Sequence, residues 1–145
     1  MELRADGAVL RDEHGRQRIL HGINLVDKGA PGATDPAAFR GRWTDEDLDQ
    51  LVGIGLDSVR LGLSWAATGP RPGEYSAEHL GWIEEQLDRC HRAGLSVILD
   101  AHQDLFSQRW GNGAPEWATL TEEPFEDTEL WSDAYLSSPA VHEAY

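Results

Sequence analysis

Positive charge is scarce in this chain. Its 145 residues hold 12 Lys and Arg against 26 Asp and Glu, a net charge of −14. Nucleic acids and anionic membranes are gripped by clustered Lys and Arg, so the composition argues against both as partners. A neutral ligand is compatible with it. Cysteine is almost missing. Cys90 stands alone, which forbids an intrachain disulfide, and its place in a helical pattern makes it a small core hydrophobe. No apolar run approaches the ~20 residues that span a bilayer. The opening stretch, MELRADGAVLRDEHG, lacks the apolar segment of a secretory signal. Phosphate-cradling GxGxxG and GxxxxGK[ST] patterns are absent, as are HxH and HExxH spacings, so neither a nucleotide cofactor nor a metal is expected.

What is present is an alternation. Residues 3–10 and 17–20 read as the arms of a short hairpin around a turn at 12–16, with residues 1–18 set apart from the rest. An apolar strand follows at 19–26, then a polar Gly/Pro-rich loop at 28–42. Thr44 and Asp47 fit a capping box, the first hydroxyl and the third-position carboxylate each satisfying a backbone N–H. Leu48, Leu51 and Val52 give the buried stripe of the helix they open, and Gly53 and Gly55 close it. Residues 58–65, SVRLGLSW, are a second strand. Ser76 caps a longer helix whose apolar positions are Leu80, Ile83, Leu87 and Cys90, and Gly94 stops it. SVILD, from Ser96, is a third strand. Near-continuous apolar strands alternating with amphipathic helices predict an α/β fold with a parallel sheet covered by helices.

In such sheets chemistry gathers at the carboxyl ends of the strands. Those ends carry Asn24, Asp27 and Lys28, then Arg60, Ser64 and Trp65, then His102, Gln103 and Asp104. Trp110, Asn112 and Trp117 follow in the third loop. Arg60, inside an apolar strand, is expected to be buried against a carboxylate. Donors and acceptors interleaved with aromatic faces suit a sugar, whose hydroxyls need hydrogen bonds and whose ring stacks on Trp. A non-catalytic carbohydrate-binding module would use the same rim. A metal site from His21, His102 and Asp104 is the rival chemistry, weakened because His21 precedes its strand.

The segments HGINLVDKGAP, SVRLGLSW, PGEY and VILDAHQDLFS…GNGAPEWA resemble the cellulase-like family five of retaining glycoside hydrolases, and within it the endoglycoceramidase branch. The third-strand segment is the specific one. The resemblance implies a (β/α)8 barrel, of which residues 19–145 would supply the first three units. It implies a hydrolase of β-linked oligosaccharides, glucans or glycolipids, working through two glutamates: an acid/base in an Asn-Glu pair after the fourth strand and a nucleophile after the seventh. It implies that Arg60 orients the nucleophile, that His102 lines the sugar subsite at the cleaved bond, and that Lys28 and Asp104 contact the first sugar's hydroxyls. Trp65 and Trp117 fall on pocket loops, as does Trp110. No metal and no cofactor is implied. Members are often secreted, although this chain shows no signal peptide.

No Asn-Glu pair occurs in the 145 residues. On this reading the chain is the N-terminal part of a single catalytic barrel, lacks both catalytic glutamates and is inactive alone. The third strand is then expected to present an apolar edge that makes the isolated chain poorly stable.

Overall fold

The computed structural model describes residues 2–144. Its amino-terminal piece is a three-stranded antiparallel meander rather than a hairpin. The arm expected at 3–10 breaks into β1 (Leu3–Asp6) and β2 (Val9–Asp12), and β3 (Gln17–Arg18) pairs with β2. The break falls at Gly7, whose φ of +59° is the left-handed conformation that glycine adopts without cost. The second turn is organised by Asp12. This buried carboxylate accepts hydrogen bonds from the backbone N–H groups of His14 and Arg16, both at 3.0 Å, and from Arg16 Nε at 2.8 Å. Arg18 reaches Asp57 at 3.6 Å, tying the meander to the amino-terminal end of the second sheet.

That second sheet is parallel, with β4 (Gly22–Leu25), β5 (Ser58–Ser64) and β6 (Ser96–His102) in the spatial order β4-β5-β6. Its register aligns Ile23 with Val59 and Val59 with Val97. Each crossover carries a helix. α1 (Asp45–Gly53) opens with the expected reciprocal box: Asp47 N–H donates to the Thr44 hydroxyl at 3.2 Å, and Thr44 N–H donates to the Asp47 carboxylate at 2.6 Å. After β5 the chain makes the short α2 (Trp65–Thr68) and then α3 (Ala77–Ala93), capped by the Ser76 hydroxyl and ended by Gly94 at φ +83°. α4 (Ala134–Ser137) and α5 (Pro139–Ala144) follow the long third loop.

The core lies between the sheet and the two long crossover helices. Val59, Leu61, Leu25, Leu48, Ile83, Cys90 and Leu95 form one buried cluster. Cys90 is sealed within it, and burial raises its thiol pKa. The helix stripes sit differently from the apolar count. Val52 and Leu80 are exposed, and α3 instead buries His79, Ile83, Gln86 and Cys90, spaced four, three and four. The polar member Gln86 is satisfied there. Its Oε1 accepts from Trp43 Nε1 at 3.0 Å and from Arg89 Nη1 at 2.9 Å.

The helices cover one face of the sheet. Because side chains alternate along a strand, Arg60, Gly62 and Ser64 turn to the opposite face, abreast of Asn24, Ile98, Asp100 and His102. On β6, Ile98 and Leu99 are each 52% exposed. An apolar edge strand of this kind was the sequence expectation. No helix of the described residues is long and apolar enough to cross a membrane.

Candidate functional site

A continuous chain of charged groups runs across the carboxyl ends of the three parallel strands. Arg60 Nη2 lies 2.7 Å from Asp100 Oδ1, and the other oxygen of Asp100 takes His102 Nδ1 at 2.8 Å. His102 Nε2 lies 3.4 Å from Asp104 Oδ2, and Lys28 Nζ reaches that same oxygen at 2.6 Å. Arg60, His102, Asp104 and Lys28, separated by up to 76 positions in sequence, therefore stand in one row. Asp100 completes it.

Asp100 was missed at the level of sequence, where it read as the last residue of an apolar strand. The signal for it was present. It lies two residues beyond Ile98, the partner of Arg60, and so on the same face as that arginine. Arg60 itself is not buried: its side chain is 40% exposed, because it lies on the face that no helix covers. The guanidinium has five N–H donors, and the pairing with Asp100 leaves others for a further acceptor.

The Asp100 contact sets the chemistry of His102. A carboxylate only accepts, so Nδ1 must carry the proton. Nε2 is the nitrogen left over, and it faces Asp104. It is buried and lacks a hydrogen-bond partner, the approach of Asp104 being too poorly aligned for a bond. The arrangement can receive a hydroxyl at His102 Nε2 and a second one at the Lys28–Asp104 pair.

The loop after β6 holds Asp104 in place by backbone bonds. Asp104 and Asn112 exchange N–H···O bonds in both directions at 2.9 Å, and Asn112 Nδ2 donates to the Lys28 carbonyl, also at 2.9 Å. Asn112 is thereby a fully buried brace between the first and third loops. Leu105 and Phe106 adopt left-handed backbone at φ +54° and +65°, conformations that cost of order 1–3 kcal/mol each. Gln103 holds them: its Oε1 accepts from Phe106 N–H at 2.8 Å and from the Tyr135 hydroxyl at 3.1 Å, while that hydroxyl accepts from Leu105 N–H at 2.7 Å. Gly113, at φ +130°, passes so close to the Phe106 carbonyl that a Cβ would collide with it.

The tryptophans divide. Trp65 and Trp117 meet edge to face, 5.8 Å between centroids, and both keep ring surface exposed. Trp117 Nε1 donates to the Gly69 carbonyl at 2.9 Å, which leaves its ring face free to stack. Trp110, expected on a pocket loop, stacks on Phe125 at 5.4 Å and packs against the Leu105–Ala134–Val141 cluster instead. Asn24 and Asp27 accompany the first strand end, Asp27 accepting from Gly29 N–H at 3.2 Å. His21 lies at the opposite end of the sheet, where its N–H donates to Asp57, so it joins no cluster with His102 and Asp104. Among the described residues no group of three His, Cys, Asp or Glu is arranged to hold a metal.

No protein-family model matches the chain. Individual proteins do. It is 44% identical over 117 residues to endoglycoceramidase I of Rhodococcus hoagii, which covers 80% of this chain and 23% of that enzyme. It is 31% identical over 116 residues to the endoglycoceramidase of Hydra vulgaris, covering 79% and 22%. Among solved structures, endo-glycoceramidase II from Rhodococcus sp. in its ganglioside GM3 complex superposes with a TM-score of 0.77 at 31% identity, over 94% of this chain and 33% of that one. An endogalactoceramidase crystal structure gives 0.80 at 28% identity, over 98% and 35%. The chain thus spans about a quarter of the curated relatives it matches and about a third of the solved ones. Its open parallel sheet corresponds to part of a barrel. The chain belongs to the endoglycoceramidase-like branch of the cellulase-like family five glycoside hydrolases.

Proposed function

We propose that residues 19–145 form the first three βα units of one catalytic (β/α)8 barrel, preceded by the meander at 1–18, and that the barrel hydrolyses the β-glycosidic bond between a glycan and a lipid. The observation that carries this reading is the row Arg60–Asp100–His102–Asp104–Lys28 at the strand ends. It is the rim where barrel enzymes keep their chemistry, and it offers a sugar an imidazole nitrogen, a carboxylate and an ammonium within a few ångströms.

Retaining hydrolysis needs two carboxyl groups about 5–5.5 Å apart, flanking the scissile bond. One protonates the leaving oxygen while the other attacks the anomeric carbon. Water then releases the sugar with the first group acting as base. Neither glutamate comes from these units, which hold no Asn-Glu pair, so they belong to later strands and the chain is inactive without them. Support for a covalent step comes from a related endo-glycoceramidase II structure, 31% identical, determined as a lactosyl-enzyme intermediate.

In this scheme Arg60 keeps the nucleophile ionised and oriented through its free donors, while Asp100 holds the guanidinium from the other side. His102 accepts a hydroxyl of the sugar at the cleaved bond. Lys28 and Asp104 hold further hydroxyls of that sugar, and Trp65 and Trp117 wall the pocket. A glycosphingolipid, incubated with the enzyme and resolved by chromatography, tests the substrate class. Release of an intact oligosaccharide and ceramide is expected. Stepwise loss of single terminal sugars, or no cleavage, overturns the reading.

A further inference from the structure

The peptide between Asp104 and Leu105 is pinned at both of its polar atoms. Its carbonyl, that of Asp104, accepts the Asn112 N–H at 2.9 Å. Its N–H, that of Leu105, donates to the Tyr135 hydroxyl at 2.7 Å. The two anchors come from different places. Asn112 belongs to the same loop, whereas Tyr135 stands 30 positions beyond Leu105, on α4. Packing holds α4 against the loop: Leu105 shares a buried cluster with Ala134 and Val141, and the Tyr135 ring packs on that cluster. His142 Nε2 donates to the Tyr135 carbonyl at 2.8 Å and ties α5 to the same point.

The Tyr135 hydroxyl accepts from Leu105 and gives its own proton to Gln103 Oε1 at 3.1 Å. The same Oε1 accepts the Phe106 N–H at 2.8 Å. Two side chains thus take up the N–H groups of two successive residues, both at positive φ. Left-handed backbone outside glycine is unfavourable and persists only where its surroundings over-determine it. In the chain, Gln103 lies between His102 and Asp104, and the peptide that Tyr135 holds is the one by which the chain leaves Asp104. A peptide released at its N–H can tilt about its remaining anchor, and the tilt carries the Asp104 side chain with it. That side chain meets Lys28 Nζ at 2.6 Å and lies 3.4 Å from His102 Nε2, so a small displacement breaks the row.

We infer that Tyr135 is a positioning residue of the sugar site: its hydroxyl holds the Asp104–Leu105 peptide in the orientation that keeps the Asp104 carboxylate on Lys28 and facing His102. The inference rests on the glycosidase reading and deepens it, giving α4, which lies outside the sheet, a part in sugar binding.

Tyr135→Phe keeps the ring and removes only the hydroxyl. In the complete expressed protein, KM for p-nitrophenyl β-lactoside is expected to rise about tenfold, the scale of one lost hydrogen bond, with kcat changing much less. A purely structural role gives the opposite split, because a smaller folded fraction lowers kcat and leaves KM as it was. Combined with Asp104→Ala, Tyr135→Phe is expected to add little, since the carboxylate it aims is gone. Gln103→Ala removes the acceptor shared by Tyr135 and Phe106. It is expected to raise KM in the same way, and it guards against one variant's failing to fold. An unchanged KM in both variants, or a rise fully retained in the Asp104→Ala background, overturns the role. If the wild type cleaves no glycoside, the glycosidase reading fails separately. Crystal structures of wild type and Tyr135→Phe then decide the positioning: Asp104 displaced from Lys28 upholds it, and an undisturbed pair overturns it.

Discussion

The carboxylate of Asp100 receives His102 Nδ1 at 2.8 Å on one oxygen and Arg60 Nη2 at 2.7 Å on the other. One acidic residue thereby fixes both the tautomer of the histidine and the aim of the arginine. Asp100→Asn removes the charge and offers His102 an amide that can flip. Turnover of a β-glycoside is expected to fall by about 100-fold, the scale of a misplaced reacting group. Stability should change by only about 1 kcal/mol, since the Arg60 guanidinium is 40% exposed and water screens its side of the pair. Steady-state kinetics alongside chemical denaturation separates the two effects. Unaltered turnover would remove Asp100 from the account.

Lys28 and Asp104 meet at 2.6 Å on the path between the first and third loops. If they hold sugar hydroxyls, Lys28→Ala and Asp104→Ala each raise KM by about 10- to 100-fold, as loss of a charge-assisted hydrogen bond does. The double variant should lose less than the product of the single losses, because the two residues share one contact. Fully multiplicative losses would mean that they bind substrate independently.

Acid should weaken the fold through His79. Its ring is buried and stacked on Trp82 at 5.7 Å. Burial, reinforced by the Arg40 charge, lowers its pKa from the ordinary 6.5. The folded protein therefore resists taking up a proton that the unfolded chain accepts readily. The neutral ring's contribution is complete above 6.5 and is lost as pH falls below it towards the depressed folded value. Thermal melts from pH 7 to pH 5 should show a falling midpoint, and His79→Phe should flatten that slope. An identical slope in the variant would assign it elsewhere.

The β6 edge should make the isolated chain sticky. Ile98 and Leu99 are half exposed on opposite faces of one edge strand, with Ile23 also exposed on β4. Unpaired apolar edges template association, and a charge on them blocks it. Light scattering of residues 1–145 expressed alone should report aggregation, reduced in Leu99→Lys. A monodisperse wild-type chain with a cooperative melt would contradict this and favour a free-standing binding module.

What the sequence disclosed was local or periodic. The Thr44–Asp47 box, the Gly94 stop and the three parallel strands follow from spacing alone, and the rim residues followed from where those strands end. Val52 and Leu80 misled because an apolar count ignores polar residues that the fold nevertheless buries. His79 and Gln86 occupy the buried stripe of α3, and Gln86 is satisfied there by Trp43, 43 positions away, together with Arg89 on its own helix. Trp110 and Trp117 look alike in sequence, yet one stacks on Phe125 and the other faces a cleft, a distinction made by tertiary contacts. Asp100 was hidden by its apolar neighbours, and only the register against β5 brings it to Arg60.

The most direct measurement is the rate at which wild type and His102→Ala, each in its complete expressed form, release p-nitrophenol from p-nitrophenyl β-lactoside. The account predicts hydrolysis by the wild type and a loss of about 100-fold or more in the variant, with the melting temperature little changed. No hydrolysis by the wild type, or equal rates in the two proteins, would contradict it.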